Sequence, residues 1–224
     1  MPDTAAPEED EIVSDFLEKR HEFKVWKSNV LTFLGDHPIL RNGEHPFIHS
    51  VKSRVKDEDH LRDKLRRKAS DGEIIGRADF FRKITDLAGV RVLHLFQQDF
   101  GEIDRIIRAQ VDGGDWYLDE RPKAYTWDPE NVTYFSEFDL DVMKKDSAYT
   151  SVHYLIRPRS DSLLCCEVQV RTLFEEIWGE VDHQINYPHP NDSVSLREQL
   201  KVLSKITGAG SRLLDAIARV RAAE

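Results

Sequence analysis

Cysteine is almost absent. There are two in 224 residues, Cys165 and Cys166, side by side. Adjacent residues of a strand point to opposite faces, so the pair offers neither a metal-ligand spacing nor a disulfide framework. A cytoplasmic protein without structural disulfides is the expectation. No apolar run approaches the ~20 residues needed to span a bilayer, so no membrane is expected. The N-terminus, "MPDTAAPEEDE", has no apolar stretch and is not a secretory signal. It reads as a disordered acidic lead-in over residues 1–11. Glycine-rich phosphate loops are missing too: there is no G-x-x-x-x-G-K-S/T, no G-x-G-x-x-G and no G-x-S-x-G. A nucleotide enzyme with this sequence must hold phosphates with side chains and Mg²⁺. Positive charge is in deficit, with a net charge of −9, which argues against a general nucleic-acid binder.

The composition that remains, 40% hydrophobic and 33% charged, is that of a soluble globular chain. The basic residues are concentrated. Between Lys52 and Lys68 eight Lys/Arg face four acids, an island suited to a compact anion rather than a long polymer. Residues 9–34 read as an amphipathic helix with Ile12, Phe16, Phe23, Val30 and Leu34 on one stripe. "HPFIHSVKSRVK" alternates as a strand, and "DEDHLRDKLRRK" follows as a helix with acids leading and bases trailing. "LAGVRVLHLF" reads as a strand buried on both faces. "QDFGEIDRIIRAQV" is helical, and "WYLDERPKAYT" reads as a strand. Residues 127–148 read as an irregular surface loop. Residues 149–172 form a hairpin turning at "RPRSDS". "LFEEIWGEVDHQIN" is a helix with Phe174, Ile177, Val181 and Ile185 in phase, "NYPHPND" is a break, and a long C-terminal helical region is interrupted at "GAG". The order implies an α+β protein, a mixed sheet with helices packed against it. The expected divisions are a helical region at 12–45, the main domain at 46–190 and a helical extension at 191–224.

Several residues stand out. Asp86, at the mouth of a dry strand, needs a partner, a cap or a metal. Arg91, inside that strand, needs an anion, with Asp86 itself a candidate. Lys52, Arg54 and Lys56 share one strand face, and Lys64 and Lys68 stack on the next helix. Three bases in line repel one another unless an anion such as a polyphosphate relieves them; a solvated face is the plainer alternative. In "CEVQVRT", Val168 and Val170 point one way and Glu167, Gln169 and Arg171 the other. In "YTSVHY", Ser151 and His153 share a face, and Tyr149 offers a ring for a nucleobase. Glu180 and His183 lie three apart on a helix. Arg197, Lys201, Lys205, Arg212 and Arg219 form a basic stripe opposite Leu200, Leu203, Leu213 and Ile217, which reads equally as the solvated side of a packed helix.

Five segments in order, "SRVKDEDHLRDKLRRK", "DLAGVRV", "KDSAYTSVHY", "EVQVRT" and "IWGEVDHQINY", resemble the synthetase domain of the RelA/SpoT alarmone family over roughly residues 46–187. The resemblance implies a nucleotidyltransferase-like synthetase fold with a mostly antiparallel sheet. It implies transfer of the β,γ-pyrophosphate of ATP to the 3′-hydroxyl of GDP or GTP. Asp86 and Glu167 would be catalytic and hold Mg²⁺, and Arg54, Lys56, Lys64 and Arg91 would bind ATP. Lys145, Tyr149, Ser151, His153 and Gln169 would bind the acceptor, and Arg171, Glu180 and His183 would frame the pocket. The chain departs from the family pattern at His60, Ser147 and Ala148. The resemblance is to a small, single-domain synthetase, so a hydrolase half is not expected. The resemblance leaves open tRNA or an adenine nucleotide as acceptor, an antitoxin partner, homo-oligomers through the terminal helices, and a catalytically silent sensing module.

Overall fold

The computed structural model describes residues 5–41, 43, 45–186 and 191–223. In chain order the elements are α1 (Ala5–Asp36), α2 (Pro38–Arg41), β1 (Ser50–Val55), α3 (Glu58–Ser70), α4 (Phe80–Lys83), β2 (Ala88–His94), a 3₁₀ turn (Gln97–Asp99) and α5 (Phe100–Asp112). They continue with β3 (Tyr117–Leu118), β4 (Lys123–Thr126), α6 (Pro129–Phe135), β5 (Asp141–Lys144), β6 (Ser151–Arg157), β7 (Cys166–Thr172), α7 (Leu173–Asn186) and α8 (Val194–Ala223). The sheet runs β1-β2-β7-β6-β4-β5, with the short β3 also paired to β6. The β2–β7 and β4–β5 pairs are parallel and the other four antiparallel, so the expected mixed, mostly antiparallel sheet is present.

Register sorts the side chains. Val90, Val92, Val168, Val170, Val152 and Tyr154 line up across β2, β7 and β6 and are buried. Against this face α1 sets Ile12, Phe16, Phe23, Val30 and Leu34, and α5 sets Ile103, Ile106 and Ile107. Burying a large aliphatic or aromatic side chain contributes about 1.5–3 kcal/mol, so the seam between α1 and the sheet is a main source of stability. A polar tie fixes it, with Trp26 Nε1 donating to the Ile156 carbonyl at 3.2 Å, and Tyr154 Oη ties the sheet to α5 by donating to Asp104 at 2.7 Å. The alternate residues Lys52, Arg54, Arg91, Glu167, Gln169 and His153 share the opposite face.

Several expectations are corrected. The acidic lead-in is helical from Ala5, because Glu9, Asp10 and Glu11 find partners in Arg62, Arg66 and Arg77; residues 1–4 lie outside the described residues. "WYLDERPKAYT" splits into β3 and β4, and the loop at 127–148 contains α6 and β5. α6 has a clear start, with the Asp128 side chain capping Glu130 N and Pro129 at the first turn. The "GAG" segment does not interrupt α8. Gly210 is there for clearance, since a Cβ would sit 2.6 Å from the Phe174 ring. The break expected over "NYPHPND" falls partly on residues 187–190, outside the described residues. No described helix is long and apolar enough to cross a membrane.

Candidate functional site

A cleft of about 530 Å³ opens on the polar face of β1, β2 and β7, with α7 as its far wall. It is lined by Arg54, Asp86, Arg91, Tyr149, Glu167, Gln169, Arg171, Glu180 and His183, all singled out from sequence, together with Lys52, Ser53, Gly89, Val90, Gly179, Asp182 and Asn186. Gly89 lies between Arg54 and Glu167 in the register. A Cβ there would meet only the Glu167 carbonyl, at 3.6 Å, so the missing side chain keeps the floor open.

Asp86 enters β2 beside two lysines, with its Oδ2 3.1 Å from Lys56 Nζ and its Oδ1 2.7 Å from Lys64 Nζ. Burial alone would raise its pKa, but Lys64 and Lys56 outweigh that and hold it at about 2. Its partner is therefore the lysine pair, not Arg91. Glu167 accepts from His153 Nδ1 at 3.0 Å and from Gln169 Nε2 at 2.7 Å. Burial pushes it up, but the His153 hydrogen bond and charge and the Gln169 hydrogen bond together outweigh this, so Glu167 too lies below the usual carboxylate range. With Glu167 ionised, the His153 proton belongs on Nδ1, which leaves Nε2 to accept from Tyr149 Oη at 2.8 Å.

Arg91 turns to α7. Its Nη1 lies 3.0 Å from Glu176 Oε1 and 2.9 Å from Glu180 Oε1, and its Nε lies 3.4 Å from Gln169 Oε1. Arg171 pairs with Glu176 and sets its guanidinium carbon 5.8 Å over the Tyr149 ring.

Not every expected residue faces the cleft. Lys56 is 8% exposed and serves Asp86 from behind, as does Lys64. Ser151 is buried under β7, its Oγ 3.4 Å from the Val170 carbonyl. His153 stands in the wall. Lys145 lies outside, its Nζ 4.6 Å from the Tyr125 ring centroid, and Tyr125 in turn packs edge-on against His153. His60, at a departure from the family pattern, joins the Asp57 cap of α3.

Sequence reasoning missed Glu176 as a site residue. The helical stripe Phe174, Ile177, Val181 and Ile185 set the phase of α7, yet Ile177 is 51% exposed while Glu176 and Trp178 are buried. The available signal was charge: three unpaired cations on neighbouring strands require an anion opposite them. Lys52 was visible on the strand face with Arg54 but had no assigned place.

Two ionised carboxylates and a set of strand-borne cations along one open cleft define an α+β protein built to bind a polyanion. Residues 53–192 match the family described as "Region found in RelA / SpoT proteins", and the chain belongs to that family. It is 26% identical over 173 residues to the GTP pyrophosphokinase YwaC of Bacillus subtilis (strain 168), covering 75% of this chain and 71% of that one. It is 24% identical over 184 residues to the GTP pyrophosphokinase YjbM of the same organism, covering 80% and 74%. The fold is that of the small alarmone synthetase 1 of Bacillus subtilis, whose crystal structure superposes with a TM-score of 0.68 at 18% identity over 96% of this chain and 100% of that one. The same protein bound to its product pppGpp superposes at 0.62 with 22% identity over 93% and 95%.

Proposed function

We propose that this chain is a GTP/GDP pyrophosphokinase, moving the β,γ-pyrophosphate of ATP to the 3′-hydroxyl of GDP or GTP and releasing AMP. The observation that carries the reading is the pair Asp86 and Glu167, both held ionised in one cleft beside Arg54, Arg91 and Arg171. The names of the two relatives above support guanine nucleotides as acceptors. The reaction joins the 3′-oxygen to the β-phosphorus and breaks the bond from that phosphorus to the oxygen of AMP. Such transfers need position and charge neutralisation more than covalent help from the protein.

Arg54, Lys52 and Arg91 neutralise the donor phosphates, and the Tyr149 ring gives the acceptor base a stacking face. Glu167 takes the proton of the 3′-hydroxyl. The His153 Nδ1–H and the Gln169 amide orient its two oxygens for that task. Lys56 and Lys64 keep Asp86 anionic, and Lys145 and Ser151 support the acceptor side from behind it.

Mg²⁺ fits the donor set. It takes hard oxygen ligands, commonly one or two carboxylates completed by substrate phosphates and water. Asp86 and Glu167 are such a pair, and the charge of Asp86 is felt at Glu167. Among the described residues no group of three His, Cys, Asp or Glu side chains forms a self-sufficient metal cage, consistent with an ion that arrives with the nucleotide. When bound it would supply Lewis-acid neutralisation of the phosphates.

A tRNA acceptor is disfavoured by the fate of two of the five bases in the C-terminal stripe. Arg212 is taken up by Asp128 and Glu130, and Lys201 by Glu198. A cytoplasmic location goes with the use of ATP. The test is incubation of the protein with γ-labelled ATP and, separately, GDP, GTP, ADP, ATP and tRNA. Label should pass to GDP and GTP as a 3′-pyrophosphate. Transfer to tRNA alone would replace the alarmone reading with a tRNA-modifying one.

A further inference from the structure

Glu176 is 5% exposed and yet meets three cations from three strands. Lys52 of β1 reaches its Oε1 at 2.9 Å, Arg91 of β2 reaches both oxygens at 3.0 and 3.1 Å, and Arg171 of β7 pairs with its Oε2. Burial opposes its ionisation, but Lys52, Arg171 and Arg91 hold it well below the ordinary glutamate range. Arg91 also meets Glu180 at 2.9 Å, so three cations share two carboxylates and the cluster keeps one positive charge in excess.

Glu176 also closes a ring of contacts. Tyr149 joins His153, His153 joins Glu167, Glu167 joins Gln169, and Gln169 joins Arg91. From Arg91 the path returns through Glu176 and Arg171 to the Tyr149 face. Arg171 can take this position because residue 179 has no side chain. A Cβ on Gly179 would stand 2.8 Å from Arg171 Nη1 and 3.4 Å from its Cζ.

We propose that Glu176 is a positioning residue. It binds no substrate itself. It holds Lys52, Arg91 and Arg171 as one rigid cationic cluster for the phosphate chain of the donor, and through Arg171 it sets the Tyr149 ring. Gly179 is the clearance that lets Arg171 join. The idea rests on the pyrophosphate-transfer reading above. Like charges this close spread apart without a shared counter-ion, and Lys52, largely solvated, is free to swing outward.

The test compares wild type with Glu176→Gln, Glu176→Asp and Gly179→Ala. Glu176→Gln should lower kcat roughly 10- to 100-fold, the cost of ångström-scale misplacement of reacting groups. The KM for ATP should move less than about threefold, because removing an anion strengthens the attraction for phosphate while the alignment is lost. Glu176→Asp should recover part of kcat. Gly179→Ala changes no charge, and its gain in helix propensity offsets part of the cost of displacing Arg171, so it should lower kcat with the melting temperature lowered only slightly. A purely structural role would lower both together. Full activity of folded Glu176→Gln, or of Gly179→Ala, overturns the proposal; should Glu176→Gln not fold, Gly179→Ala decides.

Guanidinium NMR separates this failure from failure of the reaction. The Arg91 and Arg171 side-chain N–H signals should be protected in wild type, perturbed by inorganic tripolyphosphate, and lost in both the Gln and Ala variants. If wild type transfers no pyrophosphate but the signals behave in this way, the reaction reading falls and the cluster stands as an anion-positioning device. Unprotected signals in wild type overturn the cluster itself.

Discussion

The two carboxylates of the cleft are kept ionised by different means, and their substitutions should differ accordingly. Glu167 leans on His153 and the Gln169 amide, so Glu167→Gln strands no buried ammonium. It should lower turnover by about 100-fold or more, as loss of a charge-stabilising or metal-binding group does, with the melting temperature nearly unchanged. Asp86 balances Lys56, which is buried. Asp86→Asn should cost activity as well and also destabilise the fold by on the order of 3 kcal/mol, because it leaves a buried ammonium unpaired. The pH dependence follows. The folded pKa of Asp86, about 2, lies below its ordinary 3.8, so the folded state binds fewer protons than the unfolded one. Its stabilisation is complete above about pH 4 and is lost as pH falls towards 2. Acid unfolding monitored by circular dichroism should be steeper in that window for wild type than for Asp86→Asn.

At the scale of elements, α7 and α8 decide whether the cleft has a wall. The α7 start is a capping box. Glu175 N donates to Thr172 Oγ1 at 3.2 Å, and Thr172 N donates to Glu175 Oε2 at 2.7 Å. α8 docks on α7 by Trp178 Nε1 donating to the Leu200 carbonyl at 3.0 Å, and on the 3₁₀ turn by Gln97 N donating to Asp215 at 2.8 Å. Its buried side carries Ser204, Thr207 and Ser211, while Leu213 is 62% exposed and Ile217 52%. Of the apolar side expected to pack, Leu200 is buried and Leu203 partly so, whereas Leu213 and Ile217 face outward. Beneath this seam lies Asp99, 9% exposed, raised to about 6 by burial and by the nearby charge of Asp215. A raised folded pKa means stabilisation that is complete below about pH 4 and lost as pH rises through 6. Asp99→Asn should therefore raise stability at pH 8 by about 1–3 kcal/mol and give no gain at pH 4, read from melting temperatures at the two pH values.

Over the whole molecule, an acidic chain of net charge −9 gathers Lys52, Arg54, Arg91 and Arg171 in one concave place. Attraction of a polyphosphate into such a cleft is shortened by salt, from a screening length of about 10 Å at 0.1 M to about 3 Å at 1 M. Initial-rate kinetics across that range should show the KM for ATP rising severalfold with kcat changing much less. An equal fall in kcat would mean that salt acts on the fold rather than on encounter. The clamp of α1 carboxylates on Arg62, Arg66 and Arg77 lies at the surface, with Arg62 and Glu9 partly covered, and its exposed pairs contribute about 0–1 kcal/mol each. High salt should accordingly leave the melting temperature close to its low-salt value.

The sequence by itself determined the α1 stripe, the alternation that puts Glu167, Gln169 and Arg171 on one face, the mixed character of the sheet and the family. These follow from local periodicity and from residue types at fixed spacing, which the chain carries in one dimension. Tertiary structure decided the pairings. Asp86 was read as a candidate partner for Arg91, but the antiparallel β1–β2 register and the start of α3 bring Lys56 and Lys64 to it instead. Glu176 was hidden because a helix stripe reports only which residues are apolar, whereas its burial depends on three cations that come from strands 5 to 124 residues away. Lys145 carries the right charge at the right motif position, yet the parallel β4–β5 pairing seats it over Tyr125. Charge is a property of the residue; which opposite charge it meets is a property of the fold, because the interaction falls with distance and rises with burial.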